Sequence, residues 1–488
     1  MSGVQHAGED GRTGRASPVL VPTVPTSASL TVESGLEVKM SHISVGQPWT
    51  LVSCQESADD SSWMWTHPCG AVLSARLRQS DEVELIAGIT MPPGIDTAEM
   101  TVPGPIWIPD DPLPAAVWAA GAHGLVVTRT CRDEHPALMV WRQDMGDSCA
   151  VDEGVSLLGS EIALAPGNSR MALWRGRLTD DIGEALGSLP AWLPAETIVD
   201  QPEEMVCHTP DAGILVDGAE HTSETIGPLP VGAHDLAIHE SRGATRVLIG
   251  WSPDLATAVG ARVDEILSGF DPRTVTGPQM WLLMSAVGMR VAPFSALEMA
   301  AEGLENVLSR PFGSADDHVA RLLTCCAAFR LGHRMSDPEL RDEGLRRLWE
   351  LSLDEPGTFM SRCIASAELA TLVPEHVWVN VVSGEGEDPL VRAERAIWTG
   401  RCASRDADEA VWELGAFLPT VPGGPLYAQG HRVSRRRAAL AHAMTTVWPE
   451  ELTSSFGSPR VGELRQRTLR RLLVSEHLDD EDLALLTW

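Results

Sequence analysis

The spacing of apolar residues changes once along the chain, between Trp251 and Pro253. Before that point apolar and polar residues alternate in short runs broken by turn residues, the period of half-buried strands. SASLTVESGLEVKMSHISV, beginning at Ser27, has this pattern, and WTLVSCQ, WMWTHPCGAVLSARL and VELIAGITM continue it. HGLVVTRTC and ALMVWRQD predict a hairpin. VSLLGSEIALAPGNSRMALWRGRL predicts two strands around the turn Ala165-Pro166-Gly167-Asn168. A short helix is expected over 180–189, then strands in ILVDG, AHDLAIHES and TRVLIGWS. Two stretches resist this pattern. Residues 18–26 are rich in proline and form at most an edge strand, and 91–118 read as a long surface loop with edge strands.

After Pro253 the apolar residues recur at helical spacing. Ser252 or Asp254 is placed to cap a first helix over 254–270. Further helices are expected over 278–289, 294–310, 315–331, 338–351, 358–372, 389–399, 407–418, 431–447, 461–476 and 481–486. In 294–310, Phe294, Leu297, Ala301, Leu304 and Leu308 share one face, and Glu298, Glu302 and Glu305 form a solvated one. The expected architecture is a large antiparallel β-sandwich over 18–252 followed by an all-α, α/α toroid-like domain over 253–488. Residues 1–17 read as a flexible tail without the apolar segment of a signal peptide.

Charge and composition narrow the function. The formal net charge is −31, which disfavours nucleic acid as a partner because phosphate binding needs a positive surface. Lys39 is the sole lysine and lies in LEVKM, without the glycine-rich loop of a nucleotide-binding lysine. Pyridoxal and Schiff-base chemistry would depend on that one residue. The 9 cysteines are odd in number and contain no CxxC pair, which argues against a disulfide scaffold or a zinc site and for reduced thiols in the cytoplasm. His234 and His239 are five apart on one strand, on opposite faces, so they give no metal spacing. No metal, organic cofactor or membrane span is expected. Abundant Ala, Gly, Arg and Pro beside scarce Lys match a GC-rich coding sequence of the actinobacterial kind.

EIALAPGNSRMALWRGRL, LPAWLP and GPLPVGAHDLAIHESRGATRVLIGWSP form a succession of strands, Pro-Gly turns and tryptophans leading into helices. This layout resembles carbohydrate-active enzymes in which a galactose-mutarotase-like β-supersandwich precedes an α/α toroid, as in glucoamylase-like and disaccharide-phosphorylase-like glycoside hydrolases. The resemblance implies a saccharide or sugar phosphate as ligand and a glycosidic bond as target. A carboxylic acid would protonate the leaving oxygen. A mutarotase-like site would use a His and a Glu, and His67, His123, His234 and His239 are available without an evident pairing.

Acids at helix ends or in loops are the candidates for such work, namely Asp316, Asp317, Glu375 and Glu387. Asp316 and Asp317 also suit plain stabilisation of a helix amino terminus. Tryptophan is the other saccharide-related signal, since an indole face stacks on the apolar face of a pyranose, with core filling as the alternative role for most of these residues. Trp63 and Trp65 share one side of a strand with His67, Trp107 sits in the proline-rich stretch as a candidate exposed platform, and Trp118 follows it. The arginines from Arg432 to Arg437 and from Arg460 to Arg471 either pair with the acidic remainder or bind an anionic group. A competing class is a non-catalytic interaction protein whose helices serve a protein partner or a homo-oligomer.

Overall fold

The structure, a computed structural model, describes residues 28–31, 37–40, 43–354 and 435–488. Within these it leaves out 47, 58–59, 80–81, 95–99, 109–115, 133–134, 152–153, 195, 209–212, 313–317, 447, 454–459 and 475–477. Strand alternation is clearest in Val72–Gln79, where Leu73, Ala75 and Leu77 are buried while Ser74, Arg76 and Arg78 face solvent. Eight antiparallel strands follow one another in space. They are Thr50–Glu56, Asp60–Thr66, Val72–Gln79, Val83–Thr90, Ser169–Thr179, His135–Met145, Gly124–Arg132 and Ala116–Gly121.

The last of these strands belongs to two sheets. Its first residues pair with Gly124–Arg132, whereas Ala120 faces Cys149 and Gly121 faces both Ser148 and Thr245. From there pairing runs one way through Ser148–Val151, Gly154–Ser156, Ile106–Trp107 and Ile43–Ser44. It runs the other way through Gly243–Ser252, Gly232–Glu240, Gly213–Val216 and Ala219–His221. Ile198–Asp200 lies parallel to the end of Gly243–Ser252. Gly121 permits the crossing: its φ is +96° and any Cβ there would strike the carbonyl oxygen of Ala244. The expected two-sheet sandwich is therefore one continuous system of 17 strands among the described residues, antiparallel except for that single parallel pairing.

The central hairpin is buried on both faces. Val126, Met139 and Trp141 join one core with Trp63, Leu73, Leu85, Trp107 and Trp174. The residues between them, Leu125, Val127, Leu138 and Val140, join a second core with Leu236, Ile238, Val247, Ile249 and Trp251. The predicted hairpin forms in full register, and ILVDG, AHDLAIHES and TRVLIGWS are strands. The two strands around the turn at Ala165 to Asn168 form as well, but they do not pair with each other. Glu161–Leu164 pairs with Met100–Pro103, and Ser169–Thr179 inserts between Val83–Thr90 and His135–Met145.

A short helix, Ile182–Leu186, is capped by Asp181, and the remaining described helices lie in the second half. The switch occurs where expected: Asp254 Oδ1 accepts the Thr257 N–H at 2.8 Å and starts the helix Leu255–Ser268. Gly277–Gly288, Ser295–Leu308, His318–Met335, Pro338–Asp354, Arg435–Thr445, Val461–Val474 and Asp480–Leu486 follow. The helices expected over 358–372, 389–399 and 407–418 lie outside the described residues. Glu298, Glu302 and Glu305 face solvent as predicted, but Phe294 precedes the helix and is 64% exposed instead of joining the apolar face. His318–Met335 is buried without a break from Leu322 to Phe329, so Cys325 and Cys326 are packing residues. Asp480–Leu486 returns to Gly277–Gly288, where Trp488 stacks on Trp281 at 4.6 Å and 8° and Trp281 Nε1–H donates to Thr487 Oγ1 at 2.9 Å.

The helix Val461–Val474 docks on the sheets. Arg470 makes two bonds to Asp200, at 3.0 and 2.6 Å, and Arg467 reaches Glu196 at 2.7 Å. Both guanidinium groups are more enclosed than their carboxylate partners, so the pairs are only partly screened by water. Arg470→Ala is expected to destabilise the protein by about 1 kcal/mol in chemical denaturation, and the exchanged pair Asp200→Arg with Arg470→Asp to recover much of it. A single variant as stable as the parent would remove the pair from the account of docking.

Candidate functional site

The tryptophans expected to meet a sugar are core residues, which corrects that reading. Trp107 is 2% exposed, Trp63 2%, Trp65 3% and Trp118 1%. The proline-rich stretch is not a loop at Trp107. That residue lies on the two-residue strand Ile106–Trp107, opposite Ile43 on one edge and Val155 on the other. Its ring meets Trp141 edge-on at 5.1 Å and Trp174 at 5.8 Å. Glycines make room for this cluster. A Cβ on Gly176 would come within 2.9 Å of Trp141, and one on Gly124 would strike Trp174. Trp63 and Trp65 point into the same core, and Trp118 points into the second. Indoles enclosed to this degree have no free face for a pyranose. The acids Asp316, Asp317, Glu375 and Glu387 all lie outside the described residues.

The described residues instead form a cavity lined by arginines. It has a volume of about 340 Å³ and opens at the amino end of the helix Gly277–Gly288. Arg273, Arg310 and Arg321 line it with Thr274, Asn306 and Phe312, and no carboxylate is among its described lining. Each wall has a local cause. Gly277 is required because any Cβ there would overlap Thr324 of the neighbouring helix. Gln279 Oε1 accepts the Thr276 N–H at 3.0 Å, and its amide donates to Asp480 at 2.8 Å, which fixes the helix start. Arg310 is oriented by its bond to Asn306 Oδ1 at 3.0 Å, and the Arg347 guanidinium lies 5.5 Å over the Phe312 ring. Three guanidinium groups and a helix amino terminus make the described lining positive in a strongly acidic chain. Its size falls in the range of small-molecule sites.

Other polar groupings stand among the described residues. His123 Nε2 lies 2.7 Å from Glu240 Oε2, with Trp192 edge-on to the ring at 6.1 Å. Burial, joined by the charge of Arg242, holds His123 below the usual histidine range despite that bond. This is the one His–Glu pairing the sheets bring together among the described candidates, across 117 residues of sequence. His234 pairs with Asp217 at 2.8 Å. A second cavity of about 450 Å³ is lined by His442, Glu450, Glu451, Arg460, Arg465 and Gln466. Both of its arginines are already paired, Arg460 with Glu451 and Arg465 with Glu450, and Glu463 adds a third carboxylate. Arg436 likewise pairs with Asp479, Glu481 and Asp482, so the described part of the carboxy-terminal arginine series that has partners is paired within the chain. Among the described residues no group of three His, Cys, Asp or Glu could hold a metal ion, and no helix is long and apolar enough to cross a membrane.

No family model matches the chain, and no curated protein matches it. Among solved structures, a polysaccharide lyase shares the fold with a TM-score of 0.52 and 10% sequence identity. The likeness covers 89% of this chain and 84% of that one, so it includes both the strand-rich and the helical parts. The fold is thus one found in a carbohydrate-active protein, here a lyase and not specifically a glucoamylase-like hydrolase.

Two outcomes follow from these positions. Trp107→Ala should cost about 3–5 kcal/mol in unfolding free energy, as expected for a core indole, whereas a solvent-facing platform would cost under about 1 kcal/mol. His442 is 6% exposed, and burial lowers its pKa from 6.5 to about 4. The unfolded chain therefore takes up this proton first as the pH falls. The stability linked to His442 is complete above pH 6.5 and is lost as the pH drops toward about 4, by about 3 kcal/mol in total. His442→Gln should flatten that part of the stability profile, read from denaturation midpoints between these pH values.

Proposed function

We propose that this protein binds or acts on an anionic saccharide, and that the acidic group of the sugar is held by Arg273, Arg310 and Arg321 at the amino end of Gly277–Gly288. The observation that carries the reading is the fold shared with a polysaccharide lyase over 89% of the chain. The cavity supplies the chemistry that fits it. Guanidinium forks pair with carboxylate, sulfate or phosphate, Thr274 and Asn306 offer partners for hydroxyls, and Phe312 adds an apolar wall. In this proposal the helices form an α/α toroid, which the return of Asp480–Leu486 onto Gly277–Gly288 supports. If the protein is an enzyme, its acid–base residues are sought in Asp316 and Asp317, which lie in sequence between Phe312 and His318, with Glu375 and Glu387 as further candidates.

Thermal shift and calorimetry on the full chain test this with paired neutral and uronate-containing oligosaccharides. Acidic oligosaccharides should stabilise the protein, by about 2.7 kcal/mol at a hundredfold excess over Kd, and less at high salt. Arg273→Ala with Arg310→Ala should lower affinity at least tenfold without changing the unfolding midpoint of the free protein. Equal stabilisation by neutral sugars would refute the anionic site. No stabilisation by any saccharide would refute the carbohydrate reading and favour a scaffold protein.

A further inference from the structure

The turn between the strands Asp60–Thr66 and Val72–Gln79 places a nucleophile against a base. The Gly70 N–H donates to the His67 carbonyl at 2.8 Å and the His67 N–H to the Ala71 carbonyl at 2.9 Å, with Pro68 and Cys69 at the tip. Gly70 has φ +92°, which a residue with a side chain rarely adopts, so this glycine closes the loop. The outcome is that His67 Nδ1 lies 2.8 Å from Cys69 Sγ. Nδ1 also accepts the Cys69 backbone N–H at 3.2 Å. A backbone N–H can only donate, so Nδ1 is the unprotonated nitrogen and faces the thiol as a proton acceptor. Trp49 packs edge-on to the imidazole at 5.1 Å and is itself anchored to the Pro103 carbonyl at 3.2 Å, so the base is held in place. A thiol, a base in hydrogen-bond reach and a third group that orients the base are the parts of an activated cysteine.

The other cysteines whose side chains are described lack this arrangement. Cys207, Cys325 and Cys326 are buried. Cys149 is half-buried and burial pushes its thiol up. Cys54 is exposed, and burial of its sulfur together with Glu56 raises its pKa. Cys69 is half-buried at a turn tip and packs against the edge of the first core. Burial also holds His67 below the usual histidine range, which keeps the imidazole neutral near pH 7.

We infer that Cys69, with His67 as its base, is a site of thiol–disulfide exchange that takes low-molecular-weight disulfides and becomes reversibly S-thiolated. Nδ1 takes the thiol proton as Sγ attacks one sulfur of the disulfide. The new Sγ–S bond forms as the old S–S bond breaks, and the departing thiolate leaves with the electron pair and receives the proton from the imidazolium. Cys69 is oxidised to a mixed disulfide, and half of the reagent is reduced to a thiol. This site is separate from the cationic cavity and does not rest on the saccharide reading.

The full-length protein is treated with cystamine, and adducts on Cys69 and Cys54 are followed by peptide mass spectrometry. Cys69 should react at least about tenfold faster than the exposed Cys54 at pH 7. Its rate should change less than about twofold from pH 7 to 8, because the base is already neutral, while the rate at Cys54 rises about tenfold with its thiolate fraction. His67→Gln should slow Cys69 at least about tenfold, impose the same steep pH dependence on it and leave Cys54 unchanged. Faster labelling of Cys54, a tenfold rise at Cys69 over that pH unit, or an unchanged rate in His67→Gln would each overturn the inference. The first two readouts need only the unmodified chain, so they decide the matter even if the variant does not fold.

Discussion

The hairpin formed by Gly124–Arg132 and His135–Met145 is buried on both faces over Leu125–Val127 and Leu138–Trp141, and the two cores are built against that constraint. A strand pair covered on one side needs one partner layer, whereas this pair needs two. One is supplied by the strands around Trp63, Leu73 and Trp107, and the other by those around Leu236, Val247 and Trp251. Fully burying one large apolar side chain is worth about 1.5–3 kcal/mol, so a row that alternates between two cores stabilises both layers at once. The strand Ala116–Gly121, which hands hydrogen bonds from one layer to the other, follows from the same requirement. So do the glycines that yield space to Trp141 and Trp174.

Local features were legible in the sequence. The hairpin, the cap at Asp254 and the buried stretch around Cys325 follow from spacing over a few residues. Trp107 was misread because its neighbours are prolines, and proline speaks only for its own backbone nitrogen. What buries Trp107 is pairing with Ile43 and Val155, far away in sequence on either side. The two strands flanking the turn at Ala165 were legible, but their partners were not, since short-range alternation does not say which neighbour a strand will choose. The cationic cavity draws its arginines from three segments that are polar and unremarkable alone. His67 and Cys69, two residues apart, were visible in HPCG, but only the turn's hydrogen bonds show that the ring accepts rather than donates.

Arginine carries nearly all the positive charge of this chain, and the structure uses it in two ways. Near the carboxy-terminal helices the guanidinium groups are spent on Glu196, Asp200, Glu450, Glu451 and the acids at Asp479 to Asp482. Around Gly277, Arg273, Arg310 and Arg321 line one cavity whose described lining holds no carboxylate. The contrast matters more than the net charge. An acidic protein repels an anionic ligand over most of its surface, so a local reversal of sign also marks where such a ligand can approach.

The bonds from Arg467 and Arg470 to Glu196 and Asp200 span 271 and 270 residues. During synthesis the strands therefore leave the ribosome long before the helix that neutralises those two carboxylates. At typical elongation rates of about 5–20 residues per second, that interval lasts some tens of seconds. The sheets must stand over that time on their own two cores, with the docking surface open and negatively charged. Until the basic helix arrives, Glu196 and Asp200 stand there without the two guanidinium groups that later pair with them.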